Sequence, residues 1–302
     1  MSNYVQWQNL KSDRFNVISG VRQGGILSPY LYIVYVDDML CKLNNMGCKF
    51  YGYSIGAIMY ADDLLFMSNS VHQLQCMLNV CQDELDLLDL RINNKKSTCI
   101  RIGERFNKQC VNMQLSSGEI KWSKEMKYLG IYIKSNCNLD IDVSNSKAKF
   151  FRSSNAILNK LGKFRNNFAA MHLIYTIALP MLTYGLESLR LKNAQIISLE
   201  NTCKKSLFKI FSTFDKNIIQ QCQLHGGVLP FSYLHANRRL NFLRNVRTSE
   251  NDLIRYIAKR TSLVEIDELC CKFCVNDSID KHYFMTNYRT VVFNNFMDNV
   301  NG

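Results

Sequence analysis

The chain has 302 residues, of which 47% are hydrophobic, so it is long enough for a sizeable core and two domains and is not a disordered chain. Its first ten residues are polar, and its best apolar run, 171–189, is interrupted by His172, Thr176, Pro180, Glu187 and Ser188, so neither a secretory signal nor a membrane helix is expected and the protein reads as intracellular. The net charge of +12 is uneven: residues 146–260 hold nineteen Lys and Arg against five Asp and Glu, a local excess of 14, and the rest is slightly acidic. A basic half beside a carboxylate-bearing half suits a protein that grips a polyanion with one part and does metal chemistry with the other.

In chain order, residues 1–19 read as a short strand pair. Val5 and Trp7, then Phe15 and Val17, alternate with polar residues, and Lys11-Ser12-Asp13 is the expected turn. Gly20-Val21-Arg22-Gln23-Gly24-Gly25-Ile26-Leu27-Ser28-Pro29 follows as a glycine-rich loop entering a helix, with Ser28 as N-cap and Pro29 first in the helix. Glycines permit close backbone approach, and the helix N-terminus beyond them offers N–H groups to phosphate. Arg22 and Gln23 between the glycines favour contact with a ligand. Leu31, Val34, Tyr35 and Met39 recur at helical spacing, so Asp37 and Asp38 in Tyr35-Val36-Asp37-Asp38 read as solvated helical positions.

Tyr60-Ala61-Asp62-Asp63 has a different context. Apolar runs on both sides, Ile58-Met59-Tyr60 and Leu64-Leu65-Phe66-Met67, predict strand, tight turn and strand with the acids at the tip. Paired carboxylates repel, and burial raises their pKa. A hard cation such as Mg²⁺, commonly held by one or two carboxylates plus phosphate oxygens, relieves both problems. The competing reading is a solvated turn, since Asp favours turns in any case.

Residues 71–90 read as a helix with Leu74, Met77, Leu78, Cys81, Leu85 and Leu88 on one face. Ile92-Asn93-Asn94-Lys95-Lys96-Ser97 then predicts a turn leading to a strand, its lysines either solvated or reaching for phosphate. Residues 127–133 read as a strand broken by Gly130, where another backbone approaches. The polar stretch 136–145 marks a domain boundary. Helices follow: one with Phe150, Ile157, Leu158, Leu161 and Phe164 on its face, one over 171–184 interrupted by Pro180, and others over 196–211 and 233–247. The tail from Thr261 reads as irregular. The twelve cysteines read as reduced, mostly buried thiols, clustered only at Cys270, Cys271 and Cys274.

Taken in order, these segments resemble the polymerase domain of reverse transcriptases, most closely the non-LTR (LINE-like) retrotransposon type. The run Gly20 to Pro29 resembles the family's motif B, Tyr60-Ala61-Asp62-Asp63 its motif C, Ile92 to Ser97 its motif D, and Tyr128-Leu129-Gly130-Ile131 its motif E, the primer grip. The resemblance covers residues 20–133, and the basic helices beyond resemble the thumb. It implies an α+β fold: a partial right-hand polymerase palm, with antiparallel sheet and helices, then a helical thumb-like and C-terminal region. The expected divisions are 1–140, 141–215 and 216–302.

The resemblance also implies roles. Asp62 would be a metal ligand and Asp63 would support it. Arg22, Gln23, Gly24 and Gly25 would lie beside nucleotide and template. Lys96 would approach the triphosphate as a proton donor to pyrophosphate, and Tyr128, Leu129 and Gly130 would hold the primer. The implied reaction is attack of a primer 3′-hydroxyl on the α-phosphate of a dNTP at two Mg²⁺ ions, with an RNA template, a DNA primer and no membrane partner.

The chain also departs from the pattern. A third carboxylate, on a strand well upstream of motif B, belongs to the complete site, and Asp13 is the sole acid before Gly20. The expectation is therefore a fragment lacking fingers and motif A, inactive as an isolated polypeptide. The alternative function is that of a non-catalytic nucleic-acid-binding remnant. An unrelated phosphohydrolase would need more acidic or His ligands than stand out. In the tail, Cys270-x3-Cys274-x7-His282 supplies three members of a Cys/Cys/His/Cys knuckle, with Cys271 as an alternative start. The last position holds Asn287, so a decayed knuckle is expected rather than a four-coordinate zinc site.

Overall fold

A computed structural model describes residues 2–16, 24–162, 166–273, 284–291 and 294. The chain divides into two compact units, residues 1–126 and 127–302. The first division thus falls ahead of the polar stretch 136–145.

Unit 1 begins with nested antiparallel pairs. β1 (Ser2–Asn3) pairs with β4 (Phe15–Asn16) around β2 (Gln6–Trp7) and β3 (Leu10–Lys11). The chain reverses after Trp7, with Gln8 at a φ of 53°, rather than at Lys11-Ser12-Asp13. Ser12 instead closes the next rung, its N–H donating to the Val5 carbonyl and its hydroxyl accepting from the Val5 N–H, both at 2.9 Å.

α1 (Ser28–Leu43) starts one residue earlier than expected: Leu27 is the N-cap and Ser28 already lies in the helix. Val36, Met39 and Leu43 are buried, whereas Leu31, Val34 and Tyr35 are exposed, so only Met39 of the expected face points inward. The helix is apolar nearly all round its first half, and the elements beneath it select one stripe. β5 (Lys49–Phe50) and β6 (Tyr53–Ser54) precede the acidic hairpin, β7 (Ala57–Tyr60) and β8 (Asp63–Phe66). α2 (Val71–Leu87) follows, capped by the Ser70 hydroxyl, which accepts from the Gln73 N–H at 3.1 Å. α2 buries Met77, Leu78, Cys81 and Leu85 on the expected face. α1, α2 and the inner face of the hairpin (Ala57, Met59, Leu64, Phe66) share one core. β9 (Met113–Leu115) and β10 (Gly118–Ile120) form a further hairpin over α2.

β11 (Glu125–Tyr128) crosses the division and joins β12 (Ile131–Lys134) and β13 (Asp140–Asp142) in a three-stranded sheet. Residues 127–133 are therefore a hairpin turning at Leu129-Gly130, not one strand with a defect. Unit 2 is otherwise helical: α3 (Ser144–Leu161), α4 (Asn167–Leu173), α5 (Leu179–Thr183), α6 (Asn193–Phe211), α7 (Lys216–His225), α8 (Phe231–Arg247), α9 (Asp252–Thr261) and α10 (Leu263–Phe273). A π-helical stretch, Ile174–Ala178, joins α4 to α5. Pro180 has no N–H to return to the preceding turn, and the Leu179 N–H reaches back five residues to Ile174 instead. The tail is helical rather than irregular, through α10 and residues 284–291. One core holds Phe150, Met171, Ile174, Leu182, Leu199, Leu207 and Phe231, and a second holds Leu240, Leu243, Ile266, Phe284 and Tyr288. No helix among the described residues is long and apolar enough to cross a membrane.

Candidate functional site

The acidic hairpin has the expected form. Tyr60 pairs with Asp63, leaving Ala61 and Asp62 as the turn, and Ala61 takes a left-handed φ of 52° that is uncommon for a side chain other than Gly, Asn or Asp. Alternation along β7 and β8 decides where the groups point. Met59 and Leu64 face the core, so Tyr60 and Asp63 share the outer face, and Tyr60 is 64% exposed. Asp62 lies close to Tyr32 on α1. That phenol is pushed above its usual pKa, first by burial and then by the Asp62 charge. Nothing in the sequence separates Tyr32 from the other apolar positions of its helix.

Both carboxylates are exposed rather than buried, so the expected desolvation of the pair is not realised in unit 1. Neither forms an ion pair, and no group of three His, Cys, Asp or Glu side chains able to hold a metal occurs among the described residues. Two exposed carboxylates fall short of the donor set that fixes two metals.

The other expected site residues are distributed as follows. Arg22 and Gln23 lie outside the described residues. Gly24 has a φ of 79° with open space where a Cβ would stand, and the Gly25 carbonyl accepts from the Ser28 N–H at 3.2 Å at the mouth of α1. Lys96 sits in a turn organised by Asn93, whose carbonyl accepts from the N–H groups of Lys96 and Ser97 at 3.1 and 2.9 Å. The turn is as expected, but the strand after it reduces to a single bridge between Cys99 and Trp122. Lys95 and Lys96 are exposed, and neither forms an ion pair with Asp62 or Asp63. A groove of about 500 Å³ lies between α2 and β9, lined by Gln75, Asn79, Gln82 and Asn112, but none of the expected site residues reaches it.

In unit 2, Tyr128, Leu129 and Gly130 form the end of the β11–β12 hairpin. Leu129 and Gly130 both have positive φ, 45° and 85°, as a two-residue turn of the primed type requires. The group approaching Gly130 is the Tyr184 ring and not a backbone. In the tail, Cys270 is partly buried against the second core, while Cys274 and His282 lie outside the described residues. Asn287 donates from its amide to the Phe273 carbonyl at 2.6 Å, which closes the end of α10.

The exposed acidic tip, the glycine-led helix before it and the lysine turn after it occur in one segment, and that segment matches a known family. The model for reverse transcriptase (RNA-dependent DNA polymerase) matches residues 1–133.

Over residues 1–133 the chain is similar to reverse transcriptases.

Relatives of the chain include the retrovirus-related Pol polyprotein from type-2 retrotransposable element R2DM of Drosophila melanogaster, 31% identical over 129 residues, which are 40% of this chain and 12% of the relative. The RNA-directed DNA polymerase from mobile element jockey, also of Drosophila melanogaster, is 25% identical over 193 residues, 61% of this chain and 21% of the relative. A type-1 retrotransposable element R2 polyprotein of Nasonia vitripennis is 35% identical over 92 residues, 26% of this chain and 9% of the relative. The chain thus spans about a fifth or less of the relatives it matches. These relatives are of the non-LTR retrotransposon kind that the motif run resembles.

Proposed function

We propose that this chain carries part of the polymerase site of a retrotransposon reverse transcriptase together with a basic region that grips its nucleic acid. The observation that carries this is the exposed Asp62-Asp63 hairpin within a segment that matches the reverse transcriptase family. In the reaction, a primer 3′-hydroxyl attacks the α-phosphate of a dNTP, and pyrophosphate leaves. Asp62 and Asp63 would offer carboxylate oxygens to Mg²⁺, which would neutralise phosphate charge. The backbone at Gly24 and Gly25, with Arg22 and Gln23, would contact nucleotide and template, and Lys96 would approach the leaving pyrophosphate. Tyr128, Leu129 and Gly130 would hold the primer end. The functional regions would be the palm remainder over 1–140, a thumb-like region over 141–215 and a C-terminal region over 216–302.

One observation favours a second reading for the isolated chain, that of a nucleic-acid-binding remnant without turnover. Asp63 shares a face with Tyr60, Asp62 lies by Tyr32, and no third donor joins them among the described residues. Both readings predict salt-dependent binding of an RNA–DNA hybrid by the excess of 14 positive charges over residues 146–260. They part on incorporation of dNTP into a primed RNA template with Mg²⁺. Anisotropy titration of a labelled hybrid tests the shared part, and absence of salt-dependent binding would refute both.

A further inference from the structure

The first two turns of α2 bring an imidazole and a thiol together. His72 and Cys76 are four residues apart, so they lie one above the other on one face of the helix. Nε2 of His72 stands 3.7 Å from Sγ of Cys76. His72 is exposed and Cys76 is half-buried, so the pair is open to solvent. His72 also lines the groove of about 500 Å³ between α2 and β9, which leaves open volume beside it for a hydrated ion.

The buried thiols of the chain are of another kind. Cys81 lies in the core shared by α1 and α2, and Cys203 in the main core of unit 2. Burial pushes the Cys81 thiol up to about 12 and lifts that of Cys203 well above its usual range. Thiols so placed are not ionised near neutral pH, and it is the thiolate that binds metals and reacts.

The spacing of the exposed pair is that of a metal chelate. With zinc about 2.0–2.1 Å from an imidazole nitrogen and about 2.3 Å from a thiolate sulfur, the tetrahedral angle sets nitrogen and sulfur about 3.5 Å apart. The separation of 3.7 Å therefore lets an ion enter with both side chains almost where they stand. Ligands at i and i+4 on one helical face are a spacing that zinc sites use. Nitrogen and sulfur donors select zinc over Mg²⁺, which prefers oxygen. On binding, the Cys76 thiol loses one proton to solvent and its sulfur bonds to the ion, while Nε2 donates its lone pair and the imidazole N–H sits at Nδ1.

We propose that His72 and Cys76 form a binding site for a thiophilic divalent cation, zinc in the first place, held by Nε2 and Sγ with water completing the tetrahedron. Two protein donors are fewer than a structural zinc site has, so the ion is exchangeable and its open positions accept an outside ligand. The site uses no residue of the acidic hairpin and does not rest on the polymerase reading.

The test follows alkylation of each cysteine of the reduced full chain by iodoacetamide, read by peptide mass spectrometry, in excess chelator, in zinc and in Mg²⁺. Zinc should slow alkylation of Cys76 by about ten-fold or more, because the free thiolate is the reacting form, and Mg²⁺ should change it by less than about two-fold. Cys41 and Cys137, both exposed, serve as internal references, and zinc should change their rates by less than about two-fold. These readouts are made on the unsubstituted chain and depend on no variant folding. His72→Gln, at an exposed helical position, should return the Cys76 rate in zinc to within about two-fold of its rate in chelator. Equal Cys76 rates in zinc and in chelator, equal slowing of Cys41 and Cys137, or protection that survives His72→Gln would each overturn the site.

Discussion

Gly130, Gly185 and Gly227 of unit 2 all adopt left-handed φ angles but differ in what a Cβ would meet, so alanine at each separates backbone cost from steric cost. Gly227, φ 64°, follows α7 with nothing within 4 Å of a Cβ, so Gly227→Ala measures the left-handed penalty alone, about 1–2 kcal/mol. Gly130, φ 85°, adds a 3.0 Å approach to Cε1 of Tyr184. That ring is 62% exposed and can swing aside, so Gly130→Ala should exceed Gly227→Ala by less than about 1 kcal/mol. Gly185, φ 68°, meets Cδ1 of Ile131 at 2.9 Å. Ile131 packs against the main core of unit 2 and has less room, so Gly185→Ala should be the most damaging, by about 1–2 kcal/mol beyond the backbone penalty. Urea unfolding midpoints measure all three. The double variant Gly130→Ala with Tyr184→Ala tests the contact itself, because without the ring the alanine at position 130 should cost no more than at position 227. Equal costs at positions 130 and 185, or no coupling between positions 130 and 184, would refute the packing of the hairpin tip onto the α5 corner.

Glu265→Ala should destabilise unit 2 by about 3–5 kcal/mol, because it strands Arg239 in a pair whose side chains are only 9% and 13% exposed, whereas Glu268→Ala, removing an Arg190 partner in a pair 67% and 57% exposed, should cost under about 1 kcal/mol; equal unfolding midpoints for the two variants would contradict this. For Asp142, burial alone would raise the carboxyl pKa, but the N–H and hydroxyl of Ser144 and the charge of Lys134 outweigh it and hold the carboxyl below its usual range. Its contribution is therefore present above the unfolded pKa of about 3.9 and lost as pH falls through the lower folded value, so the midpoint difference between Asp142→Asn and the parent should be clear at neutral pH and vanish in strong acid. His235 is held below its usual pKa by burial and by Arg239, against the opposing effects of the Leu186 carbonyl, Glu187 and Glu265. It is neutral in the fold and gains a proton on unfolding, so stability should fall as pH drops below about 6.5, and His235→Gln should flatten that part of the pH–stability curve.

How much of this could be read in the sequence depended on how local the signal was. α2 carries one apolar stripe, and its core residues match the expected face. α1 is apolar nearly all round its first half, so periodicity alone chose Leu31, Val34 and Tyr35, and packing against α2 and the hairpin chose Val36 and Leu43. The acidic hairpin was readable because four apolar residues on one side of a two-residue turn find partners on the other. The turn after Trp7 was not, because Gln8 and Asn9 carry no glycine or proline to mark it. At Leu129-Gly130 the glycine was noticed, but an unbroken run of β-forming residues disguised two strands as one. The tail hid its helices behind the cysteine spacing, which drew attention to metal chemistry rather than to the apolar positions that pack in the second core. The Arg239–Glu265 pair was out of reach of any local pattern, because its partners lie more than twenty positions apart.

The proposal is that Asp62 and Asp63 supply carboxylates, and the basic region a nucleic-acid grip, to a reverse transcriptase site whose third carboxylate is not found among the described residues. Primer extension by the purified chain on poly(rA)–oligo(dT) with Mg²⁺ and dTTP tests it most directly. The account predicts binding of the hybrid with no incorporation. Extension by the unsubstituted chain that disappears in Asp62→Ala would contradict it.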